Sequence, residues 1–335
     1  LDHHACHAHY SAFAPNIREN KSAIITLDSE GDGINQTFWI FDKKKNFLKK
    51  INESSECDLA RIYRFITLIL KMKPNEHEYK VMGLAPYAKG DYSMKLYNDV
   101  FKEILKVKNC KIVHNKRPKN LFGYLYKKTR KYRFDNIAGA AQILIEKIST
   151  ELVNQISKKY KLSTFSISGG VSMNVKMNKT LLENKRVKKI YVAPTGTDES
   201  LSIGACYFLN EKKGKNETLK NIYLGQELNK EKITVPMIKN LIKKRDCKIR
   251  EKVKHKEIAN LLAKGNIVAI ARGREEFGAR ALGNRSILAN PNHENIVQKL
   301  NDKIKNRDFW MPFALTILKD KHKRFIKNNK SIDCN

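Results

Sequence analysis

No apolar run in the 335-residue sequence approaches the roughly 20 residues that a membrane-spanning helix needs. The longest, around Ile66–Leu70 and Ile267–Ala271, read as a core helix and a buried strand, and no membrane partner is expected. Leu1–His9 is polar and rich in histidine, so it does not read as a signal peptide. The six cysteines, Cys6, Cys57, Cys110, Cys206, Cys247 and Cys334, form no C-x-x-C pair. That argues against a zinc ribbon or a disulfide framework and fits a reducing cytoplasm. Repeats of solenoid period and low-complexity tracts are also missing, lysine enrichment aside. Acidic residues are scarce, with 34 Asp+Glu against 66 Lys+Arg, a formal charge of +32.

What is present describes a folded chain. Apolar residues make up 41 % and aromatics 9 %, enough for a real core and too many for a disordered chain. The length exceeds what one core usually serves, so two domains are expected. The positive charge suits polyanion partners, although abundant Lys, Asn and Ile give the same excess through composition alone. One stretch stands apart: 102–133 carries twelve Lys/Arg against one acid, Glu103, a net of +11. Phe122, Tyr124, Tyr126 and Tyr132 are interleaved with these charges, a pattern suited to a phosphorylated acceptor or to nucleic acid. An ordinary surface insertion would look the same.

The periodicity predicts strands over 22–28, 36–42 and 46–51, then helices over 59–71 and 135–159. A strand at 164–168 runs through a glycine pair into a helix ending at 183. A second strand, 189–193, passes through Pro194-Thr195-Gly196-Thr197 into a helix reaching Asn210. Strand, glycine turn and helix twice within about 50 residues is an α/β pattern. The Lys-rich stretch beginning at 211 suggests a linker, followed by a helix over 256–264, a strand over 266–271 and an Arg/Gly-rich segment.

Four sets of residues could carry chemistry. His3 and His7, four apart, fall on one helix face and can share a metal ion; His4 and His9 stand beside them. Asp198, where a strand hands over to a helix, is either a helix cap or the third ligand of a two-histidine, one-carboxylate set. Ser168-Gly169-Gly170-Val171 and the turn Asp28-Ser29-Glu30-Gly31-Asp32-Gly33 can bring backbone amides close to phosphate, or simply pack tightly. The run 273–286, with Arg274, Arg280 and Arg285 among three glycines, makes a poor helix and a good anion pocket.

Taken in order, these motifs resemble the carbamoyltransferases typified by the nodulation-factor, cephamycin and tobramycin enzymes. The matching residues are Asp2-His3-His4-Ala5-Cys6-His7-Ala8 with Ser11-Ala12-Phe13; Glu78 through Tyr87; Asn136-Ile137-Ala138 with Gln142; Ser168 through Val171 with Asn174; the arginine run; and Met311-Pro312-Phe313-Ala314. The resemblance implies an α/β chain with an actin/sugar-kinase-like (ASKHA) ATPase domain over 1–215 and a linker over 216–244. The start of an α+β YrdC-like domain over 245–335 follows. It also implies a fragment, because the family has a phosphate-binding segment before the histidines and a longer C-terminal domain. By the same resemblance, ATP and a divalent metal are the cofactors, iron favoured over magnesium, manganese or zinc. His3, His7 and Asp198 would hold the metal, and Asp28, Gly31, Gly169, Gly170 and Asn174 the nucleotide. Arg274, Arg280 and Arg285 would clamp carbamoyl phosphate, with His4 a candidate base. The implied reaction makes a carbamoyl-adenylate and passes its carbamoyl group to a hydroxyl of a small-molecule or sugar acceptor. Ser29 replaces a usual glycine and Trp310 a usual arginine. The alternatives are a tRNA threonylcarbamoyl transferase-like enzyme, which the charge would suit, and a non-catalytic basic nucleic-acid-binding protein, which leaves the histidines and arginines without a role. The basic insertion is expected to contact an anionic acceptor through Lys127, Lys128 and Arg130.

Overall fold

In the computed structural model, the structure describes residues 1–211, 213–214, 216–228, 236–238, 250, 252–327 and 330. Two compact units divide the chain: Leu1–Leu219 with the described part of Ala314–Asn335, and Lys220–Phe313. Much of the expected 216–244 linker, the boundary expected at 245, Cys247 and Cys334 lie outside the described residues. The other four cysteines are free thiols.

The first unit opens with α1 (His3–Phe13), whose first turn is capped by Asp2, the carboxylate accepting the Ala5 amide at 2.5 Å. A meander follows: β1 (Lys21–Gly31), β2 (Ile34–Asp42) and β3 (Phe47–Ser54). Then come α2 (Leu59–Ile69), α3 (Glu78–Leu84), α4 (Gly90–Leu96), a hairpin of β4 (Leu105–Lys108) and β5 (Lys111–His114), and α5 (Leu121–Thr129). The long α6 (Phe134–Tyr160) leads to β6 (Thr164–Ser168), α7 (Val175–Glu183), β7 (Lys189–Val192) and α8 (Leu201–Asn210). The central sheet is mixed, in the order β3-β2-β1-β6-β7, antiparallel within the meander and parallel from β1 through β6 to β7.

Both faces of this sheet are covered, which is why β1 reads as a continuous apolar run rather than an alternating one. On one face, Ala5, Ala8, Ala12 and Phe13 of α1 pack with Ile24, Trp39 and Phe41, and Tyr207 and Phe208 of α8 join the cluster. The small residues let helices approach: a Cβ on Gly204 of α8 would lie 2.0 Å from the Cys6 carbonyl oxygen. On the other face, Phe38 meets Tyr160 at the end of α6, ring centroids 5.1 Å apart. The predicted helix over 135–159 and strand over 164–168 fall on α6 and β6 almost residue for residue.

In the second unit, α9 (His255–Ala263) precedes an antiparallel ribbon of β8 (Val268–Ala271) and β9 (Arg285–Leu288). The buried strand expected at 267–271 is corrected here. Ala269 and Ala271 are exposed, because a two-stranded ribbon leaves one face without a covering layer among the described residues. No described helix is long and apolar enough to cross a membrane.

Candidate active site

Two strand ends and one helix converge on the site. The i, i+4 spacing puts His3 and His7 on one face of α1, with ring centroids 4.8 Å apart. β1 supplies Asp28 from a stretch where its register with β2 shifts, between Leu27 and Gly31. Leaving the ladder there turns the Asp28 carboxylate toward the helix, the usual effect of a bulge. Asp198 enters at the start of a short 3-10 turn before α8, whose cap is Thr197; its side chain is 70 % exposed.

The distances draw these four together. His7 Nε2 lies 3.1 Å from Asp28 Oδ2 and 3.5 Å from Asp198 Oδ1. His3 Nε2 lies 3.7 and 3.8 Å from the same two atoms. One ligand atom from each of the four residues falls within 4.8 Å of the other three. Both Nε2 atoms are buried without a hydrogen-bond partner, which for a polar atom is costly unless something else satisfies it. Two imidazoles and two carboxylates with orphaned nitrogens fit a divalent cation.

The imidazoles and the Asp28 carboxylate also attract one another directly. The Asp28 carboxylate raises the pKa of His3 above its ordinary value, against the opposing effect of burial. Burial alone would push the Asp28 carboxyl up. His3, His7 and the Ser29 and Gly170 amides outweigh it and hold that carboxyl well below the usual carboxylate range. Asp28 was expected on the nucleotide side only; its place beside His3, His7 and Asp198 follows from the bulge, which has no signature in residue spacing.

The glycines shape the same cleft. A Cβ on Gly31 would stand 2.2 Å from the His3 ring, so only glycine lets that ring seat. Gly169 takes φ +88°, and a Cβ there would meet the Leu27 carbonyl oxygen at 2.3 Å. The turn it makes lets the Gly170 amide donate to Asp28 Oδ2 at 3.1 Å. Asn174 lies deeper: it caps α7 by accepting the Met177 amide and exchanges two hydrogen bonds with Gln142.

His4, expected as a base, has both ring nitrogens engaged. Its Nε2 donates to the Ile34 carbonyl at 3.0 Å, leaving Nδ1 to accept from the Thr26 hydroxyl at 2.7 Å. Thr26 in turn accepts from Thr37, which accepts from the Trp39 indole, so one directed chain of hydrogen bonds ends on this imidazole. Burial lowers the pKa of His4 and keeps the ring neutral, as that chain requires.

The arginine run forms its own locus in the second unit. Arg274 donates to the Gly225 and Leu224 carbonyls, and Arg285 to those of Arg272, Gly273 and Asn284. Arg280 is exposed and makes no hydrogen bond or ion pair among the described residues. Glu276, not singled out by the sequence, organises the loop. One of its oxygens accepts the Leu282, Asn284 and Arg285 amides. Against a desolvation cost, those amides hold its carboxyl at about 2.

The chain is similar to known proteins along most of its length. Residues 1–207 match the family model described as carbamoyltransferase N-terminus, and residues 259–333 the one described as carbamoyltransferase C-terminus. An uncharacterised protein of Methanocaldococcus jannaschii is 32 % identical over 95 % of this chain and 61 % of its own length. Nodulation protein NolO of Bradyrhizobium diazoefficiens is 25 % identical over 98 % of this chain and 60 % of its own. A crystal structure of full-length HypF in its phosphate- and nucleotide-bound form aligns at TM-score 0.39 and 15 % identity, covering 65 % of this chain and 44 % of that one. The chain spans between about half and three-fifths of the length of the curated relatives that cover nearly all of it.

Proposed function

This chain belongs to the carbamoyltransferase family, and from that membership we propose that it is the working part of an ATP-dependent O-carbamoyltransferase. Water hydrolyses carbamoyl phosphate to carbamate and phosphate, and a carbamate oxygen then attacks the α-phosphorus of ATP, giving carbamoyl-adenylate with release of pyrophosphate. The hydroxyl oxygen of a small-molecule or sugar acceptor then attacks the carbamoyl carbon, AMP leaves, and the hydroxyl proton is lost. In this reading the first unit is a nucleotide domain of the actin and sugar-kinase type and the second the start of a YrdC-like domain, working in the cytoplasm.

The observation that carries the proposal is the pair of buried, unpartnered Nε2 atoms of His3 and His7 facing Asp28 and Asp198 beside the Gly169 turn. A divalent cation held by those four residues, with iron the favoured ion, supplies positive charge against phosphate oxygens. The rest falls to the chain itself. The Gly169-Gly170 and Asp28–Gly31 turns, assigned to the nucleotide, act here through Asp28: the Gly170 and Ser29 amides donate to its carboxylate and hold it in place. Asn174 and Gln142 fix the start of α7 behind that turn. In the second unit Arg280 offers its guanidinium fork to carbamoyl phosphate. Arg274 and Arg285 pin the loop that presents it. His4 is a positioning residue that locks α1 to β1, so that His3 and His7 meet Asp28 in register.

The test uses the full-length protein with ATP and carbamoyl phosphate, without acceptor, and mass spectrometry for carbamoyl-adenylate and pyrophosphate. The parent forms both, and His3→Ala and Arg280→Ala each lower the yield by about 100-fold, the scale of losing one preorganised charge contact. Equal yields in parent and variants, or none from protein shown to bind metal and ATP, contradict the proposal.

A further inference from the structure

The first unit carries a groove lined by cationic side chains. α2, the loop after β5 and the start of α5 enclose an open groove of about 480 Å³. Arg61, Arg64, Arg117 and Lys119 line it, and no acidic side chain does. Two of these cations are held in place by Asp58, whose side chain is fully buried: its carboxylate lies 3.1 Å from Arg61 and 2.5 Å from Arg117. The same carboxylate accepts from His114 at 2.9 Å, and Arg61 also pairs with Glu30 at 3.0 Å. Arg64 and Lys119 have no carboxylate partner among the described residues.

Two compensated guanidinium groups fixed by a buried acid, beside two uncompensated cations, make a preorganised receptor for a group of about two negative charges. A phosphoryl dianion has that charge, and guanidinium forks match its oxygens. Apolar surface completes the groove: Phe65 and Phe122 stand edge to face with centroids 5.5 Å apart, and Phe122 stacks on Tyr126. Such rings suit the apolar face of a sugar or a base. Arg61 connects the groove to the strand that carries Asp28, through Glu30 two residues further on.

We propose that this groove binds the phosphoryl or pyrophosphoryl group of a phosphorylated small molecule. That the molecule is the carbamoyl acceptor rests on the carbamoyl-transfer reading; the binding itself does not. The basic insertion contributes only through residues 117–122. Lys127, Lys128 and Arg130 do not line the groove, and half of its charge comes from α2.

Inorganic pyrophosphate, titrated calorimetrically into the full chain in EDTA to suppress metal-dependent binding, tests the proposal without reference to carbamoyl chemistry. Arg64→Gln/Lys119→Gln is expected to weaken binding by about tenfold or more, the loss of charged hydrogen bonds. Lys127→Gln/Lys128→Gln stays within about twofold of the parent, as exposed charges outside a site should. Lys119 is exposed. The single Lys119→Gln, expected to bind about threefold more weakly, therefore decides the matter if the double variant misfolds. Equal affinities in parent and groove variants overturn the proposal. So does a parent that ignores pyrophosphate yet binds a single-stranded oligoribonucleotide with a steep salt dependence, which would make the groove a nucleic-acid contact.

Discussion

In the proposed reaction, the residues to watch are two histidines at the start of α1. His3 Nε2 and His7 Nε2 are buried and lack hydrogen-bond partners, while two carboxylates stand within 4 Å of each. The arrangement is held by contacts that leave no slack. Gly31 is one of these, since a Cβ would enter the space of the His3 ring. Gly31→Ala should therefore leave the fold intact and push His3 out of place. A loss of about 10- to 100-fold in divalent-metal affinity is expected, the scale seen when a residue supporting a ligand is altered. Isothermal titration of parent and variant reads it, and equal affinities would mean that His3 is not a ligand. The histidine pair and Asp198 were legible in the sequence because an i, i+4 pair and a strand-to-helix acid are local patterns. Asp28 was legible only as a turn residue, because its role comes from a register shift that no spacing encodes.

At the scale of elements, the arginine run shows how a loop without regular structure acquires a fixed shape. Its key is not an arginine but Glu276, whose carboxylate gathers three amides across residues 282–285. Its pKa is depressed from 4.5 to about 2, so the sign is that of a stabilising carboxylate. The contribution is complete above about 4.5 and is lost as the pH falls through about 2. Protection of the Leu282, Asn284 and Arg285 amides against hydrogen exchange should decline across that window, and Glu276→Gln should show the loss already at neutral pH. Protection that persists in the variant would remove Glu276 from this role. The sequence marked the loop correctly as arginine-rich and unsuited to helix. It could not show which guanidinium groups would bind backbone carbonyls and which would stay open, because that depends on where residues 224–226 lie. Longer elements were far more legible: α6 and β6 announce themselves by period and by flanking turns. β8 did not, because a run of Val-Ala-Ile-Ala looks the same whether one face or two are covered.

For the molecule as a whole, the charge of +32 includes the groove lined by Arg61, Arg64, Arg117 and Lys119. The sequence drew the eye to 102–133, but the groove needed α2 and the buried Asp58 to exist, a meeting of distant segments that only the fold supplies. The same holds for the proposed metal ligands, His3, His7, Asp28 and Asp198, which meet around one sheet end. That convergence is the central claim, and metal stoichiometry tests it most directly. The purified full-length protein, stripped with chelator and titrated with iron(II), manganese, magnesium or zinc, should bind one equivalent of at least one ion tightly. His3→Ala/His7→Ala should bind none at that site, and Asp28→Asn should bind more weakly. Undiminished stoichiometry and affinity in both variants would contradict the account.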